Sequence, residues 1–197
     1  MGAYQRGLWH LSKASVEALA RHAVALDGAD AEARARLAIA LHERGDRQGA
    51  QAEAERALTI SPNLADAHGA LGVVLTFAGR PQEGLAARKT CIRLDPRSPS
   101  LVYRLRQIAV ALYFSREYPA AAEAARQAIR SYPDRGYTVL AAALGQMGRT
   151  AEAREALEKA IEIAPGALDT FVRGAPAIRP EDHAHMLEGL RKAGWEG

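Results

Sequence analysis

Cysteine occurs once in this chain, at Cys91, so no internal disulfide can form and the redox compartment is left open. Asparagine also occurs once, at Asn63, just after Pro62. Aromatic residues make up only 6% of the 197 residues. A core this poor in rings must be built from small side chains. Alanine, which costs nothing in helix propensity and lets backbones approach, supplies an unusual share of the 48% that are apolar. Lysine is scarce as well: of 26 basic residues, 22 are arginine and 4 are lysine, and the formal net charge is only +3. That is the mark of a GC-rich bacterial coding sequence more simply than of a nucleic-acid binder. No block of five or six like charges appears. Acids and bases instead alternate, as in Glu53-Ala54-Glu55-Arg56, which is the pattern of solvated helix faces laced with ion pairs. The longest apolar run, Ile108 to Phe114, is far too short to cross a bilayer. Met1 is followed by Gly-Ala-Tyr-Gln-Arg, not by a basic-then-apolar leader. Membrane insertion by this chain is therefore not expected.

What is present is a self-repeat. Ala57-Leu58-Thr59-Ile60-Ser61-Pro62 returns as Cys91-Ile92-Arg93-Leu94-Asp95-Pro96, as Ala128-Ile129-Arg130-Ser131-Tyr132-Pro133, and as Ala160-Ile161-Glu162-Ile163-Ala164-Pro165. The prolines are separated by 34, 37 and 32 residues. A period near 34 on a helical background predicts stacked helical hairpins, which are scaffolds for recognition. The copies run over 31–64, 65–98, 99–133 and 134–165, with 1–30 as a worn first hairpin. Gly45, Gly79 and Gly148 mark the turns inside three copies, and the third turns at Arg116-Glu117-Tyr118 without glycine. After an irregular linker over 166–180, a last helix over 181–194 carries Met186, Leu187 and Leu190 on one face. It is expected to cap the exposed end of the stack at Leu157 and Ile161. No segment alternates as a strand, so the fold class is all-α.

The copies are similar to the tetratricopeptide repeat. Small residues recur at the eighth position (Ala38, Gly72, Ala109, Ala141), the twentieth (Ala50, Gly84, Ala121, Ala153) and the twenty-seventh (Ala57, Cys91, Ala128, Ala160), with proline at the thirty-second. The resemblance implies an α-solenoid of about four and a half hairpins, a right-handed superhelix with a capping helix at its C-terminal end. A narrower resemblance rests on Ala3-Tyr4-Gln5-Arg6-Gly7-Leu8-Trp9-His10, on Arg179-Pro180-Glu181-Asp182-His183, and on Glu188 through Trp195. These segments resemble the C-terminal repeat region of bacterial class III adenylate cyclases and of related winged-helix regulators. That implies a regulatory or sensory half without its catalytic or DNA-binding domain. It also implies a cytoplasmic chain, or a periplasmic one if tethered in a membrane-anchored parent.

No constellation supports chemistry in the chain itself. A cyclase holds its metal-binding aspartates on adjacent strands, and none are expected. His183 and His185 point about 200° apart on a helix, so they cannot share a metal. Neither a metal nor a cofactor is called for, and Cys91 falls where the repeat demands a small buried residue. The expected site is instead the concave groove. In tetratricopeptide stacks, positions 2, 5, 9, 12 and 13 of each copy face inward. Here those positions place Val73 and Phe77 beside Tyr103, Arg106, Val110, Tyr113 and Phe114, an aromatic-aliphatic patch flanked by a cation. The competing assignment is that Tyr113 and Phe114 pack beneath the extra loop at Arg97 to Leu101. A helix or extended peptide of a protein partner is the expected ligand. The alternative is nucleic acid through Arg36, Arg104 and Arg106, disfavoured because only the third copy is aromatic.

Overall fold

In the computed structural model the described residues are 13–131, 136–163, 168–169, 172–173 and 177–196. They contain ten helices and no strand. These are α1 Lys13–Leu26, α2 Ala31–Glu43, α3 Arg47–Ile60, α4 Ala65–Phe77, α5 Pro81–Leu94, α6 Leu101–Phe114, α7 Tyr118–Ser131, α8 Tyr137–Gln146, α9 Thr150–Ile163 and α10 Pro180–Lys192. The first part of the worn hairpin, residues 1–12, and the segments around Pro133 and Pro165 lie outside the described residues.

Local chemistry sets the helix ends. Asp30 accepts a hydrogen bond from the Ala33 amide (3.0 Å) and Asp46 one from the Gly49 amide (2.9 Å), each satisfying an orphan donor. Each first helix closes with the same long backbone bond back to a leucine: Asp46 to Leu41, Arg80 to Leu75, Glu117 to Leu112, and Arg149 to Leu144, at 2.9–3.0 Å. That closure requires a left-handed residue just before the donor. Gly45, Gly79 and Gly148 supply it with φ of 87°, 86° and 71°. In the third hairpin Arg116 adopts φ 66° instead, a conformation that costs a side-chain-bearing residue about 1 kcal/mol.

The helices pair as α2/α3, α4/α5, α6/α7 and α8/α9, and each pair stacks on the next. The first two pairs meet through an all-alanine cluster: Ala31, Ala35, Ala38, Ala54, Ala57, Ala67 and Ala70. Side chains this small let α2 and α4 lie close together. From α4 to α6 to α8 the first helices contact one another more sparsely, and the bulky Phe77, Tyr113 and Phe114 belong to the core cluster there. Composition along the chain thus decides where the inner face is tight and where it is wide.

The last helix corrects one expectation. α10 packs chiefly on α8 and only slightly on α9. Ile161 at the end of the stack remains 49% exposed, so it is not the face that α10 covers. Trp195 is partly buried against the core, and its amide bonds to the Leu190 carbonyl (3.0 Å) in the same closure the hairpins use. Among the described residues no helix is long and apolar enough to cross a membrane.

Candidate functional site

The inner-facing positions of the third and fourth hairpins meet α10. Tyr113 donates a hydrogen bond from its hydroxyl to the backbone oxygen of His185 (2.8 Å), and its ring stacks on the His185 imidazole at 4.8 Å. The Tyr118 hydroxyl and the Gln146 amide each lie 3.3 Å from a ring nitrogen of His185. Lys192 donates to Gln146 (2.8 Å). Between these polar contacts the backbones touch. A Cβ on Gly189 would fall 2.8 Å from the Ala142 carbonyl oxygen, and one on Gly145 would collide with the Gly189 carbonyl. Met186 and Leu190 on either side are fully buried. A glycine facing an alanine and a glycine is what allows a helix to sit this deep.

Ahead of α10 the chain touches the earlier turns. Ile178 offers its carbonyl to Arg47 (3.5 Å), and the Arg179 guanidinium lies where a side chain on Gly79 would be. Arg179 also pairs with Asp182 (2.8 Å). The C-terminal segment therefore runs along the turn ends of the hairpins from the first to the fourth. A row of rings follows it: His42 to Phe77 (5.1 Å), Phe77 to Phe114 (5.7 Å), Phe114 to Tyr113 (5.9 Å), then Tyr113 to His185.

Of the seven residues singled out from the sequence, Val73, Phe77, Val110, Tyr113 and Phe114 are buried in the core cluster. Arg106 is partly buried and Tyr103 is 39% exposed. Tyr113 hydrogen-bonds α10, whereas Val73, Phe77, Val110 and Phe114 are brought together as packing. His42, Tyr118, Ala142, Gly145 and Gln146 complete the inner surface. All but Tyr118 were legible as inward positions, yet they lack the aromatic signal that drew attention to the third copy. Of the arginines considered for nucleic acid, Arg104 is 4% exposed and already holds Asp66 (2.9 Å) and Asp95 (3.3 Å), so it is not offered to a phosphate backbone. Among the described residues no three His, Cys, Asp or Glu side chains converge as metal ligands. Cys91 is buried, which pushes its thiol above the usual range.

Burial raises the Tyr113 phenol far above its ordinary value, so it remains a donor. His185 moves the other way: burial first, then the charge of Arg116, hold its imidazole below the usual histidine range, while Glu188 and Asp182 oppose weakly. The folded state therefore takes up the proton later than the unfolded state does. Stability from this contact is complete above the free value of about 6.5 and is lost as pH falls below it. With the intrinsic pH dependence of amide exchange divided out, protection across 180–192 should fall between pH 7 and 5 in the wild type and stay flat in His185→Gln. Equal pH responses in the two proteins would remove His185 as the cause.

Comparison with known proteins gives the same architecture. Residues 134–166 match the tetratricopeptide repeat family. No curated protein matches the chain. Among solved structures it is similar to PilW, described as a widely conserved type IV pilus biogenesis factor, with a TM-score of 0.69 and 18% identity over 96% of this chain and 84% of that one. It is similar to a thermophilic TPR protein of Thermus thermophilus (TM-score 0.67, 22% identity, 89% of this chain and 90% of that one). It is also similar to YrrB, described as a TPR protein with an unusual peptide-binding site (TM-score 0.58, 19% identity, 88% of this chain and 90% of that one). The helical hairpins, their closures and these likenesses agree: the chain has the fold of a tetratricopeptide-repeat solenoid.

Proposed function

We propose that this chain is a non-catalytic protein-interaction module whose inner groove takes a helix, and that α10 occupies the place a partner helix takes. The observation that carries this is α10 itself, seated on Ala142 and Gly145 through Gly189 and bonded to Tyr113 at its backbone. The groove thereby displays its own preference: a helix with a glycine at the crossing and aliphatic residues on either side. Tyr113 provides the floor, while Val73, Phe77, Val110 and Phe114 hold it in place. Tyr103 and Arg106 stand toward the other end of α6, with Tyr103 about 15 Å along the axis from Tyr113.

A tethered helix acts at an effective concentration on the order of millimolar. A peptide binding the open groove at ~10 μM would then appear about 100-fold weaker to the wild-type chain. Gly189→Val in the full chain opens the groove by forcing a side chain onto the Ala142 backbone. A fluorescent peptide of residues 177–196 should bind this variant at least tenfold more tightly than it binds the wild type. Equal affinity for both proteins, or no binding to a variant whose 180–192 amides exchange freely, would overturn the proposal.

A narrower context is supported by the resemblance at both ends of the chain to the repeat region of class III adenylate cyclases and related winged-helix regulators. Its C-terminal part, Arg179–His183 and Glu188–Trp195, coincides with the docked segment. In that context the competing helix belongs to a regulatory partner or to another domain of the same signalling protein. An in-frame cyclase or winged-helix domain upstream of Met1 is the expected finding, and an unrelated upstream frame would dismiss this context.

A further inference from the structure

The repeat is broken at one core position. Where the first, third and fourth hairpins carry Ala54, Ala125 and Leu157, the second carries Arg88, and all four are buried. Arg88 is only 2% exposed. Its stem lies in a trench made by two glycines of α4: a Cβ on Gly72 would fall 2.7 Å from Arg88 Cγ, and one on Gly69 3.8 Å from Nη1. Its head has no counter-charge among the described residues. Nε and Nη2 have no hydrogen-bond partner among the described residues. The charges that act on it are those of two further cations, Arg104 and Arg106, and the carboxylates beside neighbouring Cys91, Asp66 and Asp95, are engaged by Arg104.

A guanidinium does not shed its proton in a protein, so Arg88 stays charged even though burial pulls its pKa down. A buried charge without a partner is strongly unfavourable. Apolar side chains at the matching places show that the hairpin itself does not require an arginine. The way in is marked by Tyr103, exposed, with the guanidinium carbons of Arg88 and Arg106 at 5.8 and 5.4 Å from its ring centre. We propose that Arg88, gated by Tyr103 in the second and third hairpins, is an oxyanion-binding site that takes a carboxylate or a phosphate group. The planar fork of arginine suits both. The site lies toward the end of α6 opposite Tyr113, and it stands whether or not α10 leaves its groove.

The test uses the full chain and its Arg88→Met variant, melted in sodium phosphate, sodium acetate or sodium chloride at matched ionic strength. Methionine keeps the stem and deletes the charge, so the variant in chloride should melt at or above the wild type. The wild type should melt higher in phosphate, in acetate, or in both, and the variant should show no such gain. Titration followed by Tyr fluorescence should give millimolar or tighter binding that weakens at least tenfold in the variant. A gain in phosphate alone assigns a phosphate group, and a gain in acetate alone assigns a carboxylate. The proposal fails if the wild type shows no anion-dependent gain, or if the variant gains equally; Arg88 is then a packed stem stacked on Tyr103 and nothing more.

Discussion

Gly84→Ala will destabilise this protein by about 2–4 kcal/mol, although alanine occupies the matching place in the other three hairpins. In the second hairpin a Cβ at position 84 would meet the Thr76 hydroxyl, and it would fall 2.7 Å from the Gly72 carbonyl oxygen and 2.8 Å from the Thr76 amide nitrogen. Two of these three obstacles are backbone and cannot rotate away. The Thr76 hydroxyl is itself fixed, donating to the Gly72 carbonyl (2.7 Å). Both crossing positions in this hairpin are glycine, Gly72 and Gly84, whereas the others use Ala38 with Ala50, Ala109 with Ala121, and Ala141 with Ala153. With glycine on both sides α4 and α5 settle closer, and the space an alanine needs is gone. Urea denaturation of the variant provides the measurement. A loss below about 1 kcal/mol would mean the crossing relaxes and the hairpin is no tighter than its neighbours.

Tyr113→Ala should cost about 3–5 kcal/mol, the range for removing a large buried side chain. Tyr113 is fully buried and touches Phe114, Tyr118 and His185. Its loss empties a space between α6, α7 and α10 at once, so the cooperative melt should shift bodily downward. Tyr113→Phe separates the two roles of the residue. It keeps the ring and deletes only the hydroxyl that the His185 carbonyl accepts from, for about 1–2 kcal/mol. Hydrogen exchange should then rise across 180–192 before it rises elsewhere. If Tyr113→Ala melts like the wild type, the ring is not core and belongs to an open binding surface.

Much of the fold was legible because repetition turns weak local signals into strong ones. Leucines 41, 75, 112 and 144 recur in register, and each one closes its helix through the same backbone bond. Turn chemistry was readable for the same reason at three of four turns. In the third hairpin the turn's place at Arg116-Glu117-Tyr118 was readable too, but not the left-handed conformation of Arg116, which its side chain argues against. The inner positions of the groove were also readable from register. What occupies them was not. α10 was recognisable as an amphipathic helix from Met186, Leu187 and Leu190, but an apolar stripe names no partner. That stripe pointed to Leu157 and Ile161 as the nearest uncovered face, whereas the helix packs chiefly on α8. The choice was made by shape: Gly189 fits onto Ala142 and Gly145, and Tyr113 bonds the backbone between them.

From residue order alone, this protein is committed to helical hairpins of a set length, to their turns, and to an inner surface that concentrates its few rings. These are consequences of periodicity, which acts through neighbours a few residues apart. Only the tertiary structure decides that the C-terminal helix folds back into the concave side, and that Arg88 is buried with no counter-charge among the described residues while Arg104 takes both aspartates. Those outcomes depend on which surfaces can approach to within an atom's width, and on which arginine of two neighbouring helices reaches the two carboxylates. Distances between residues far apart in the chain settle them, and no local pattern encodes those distances.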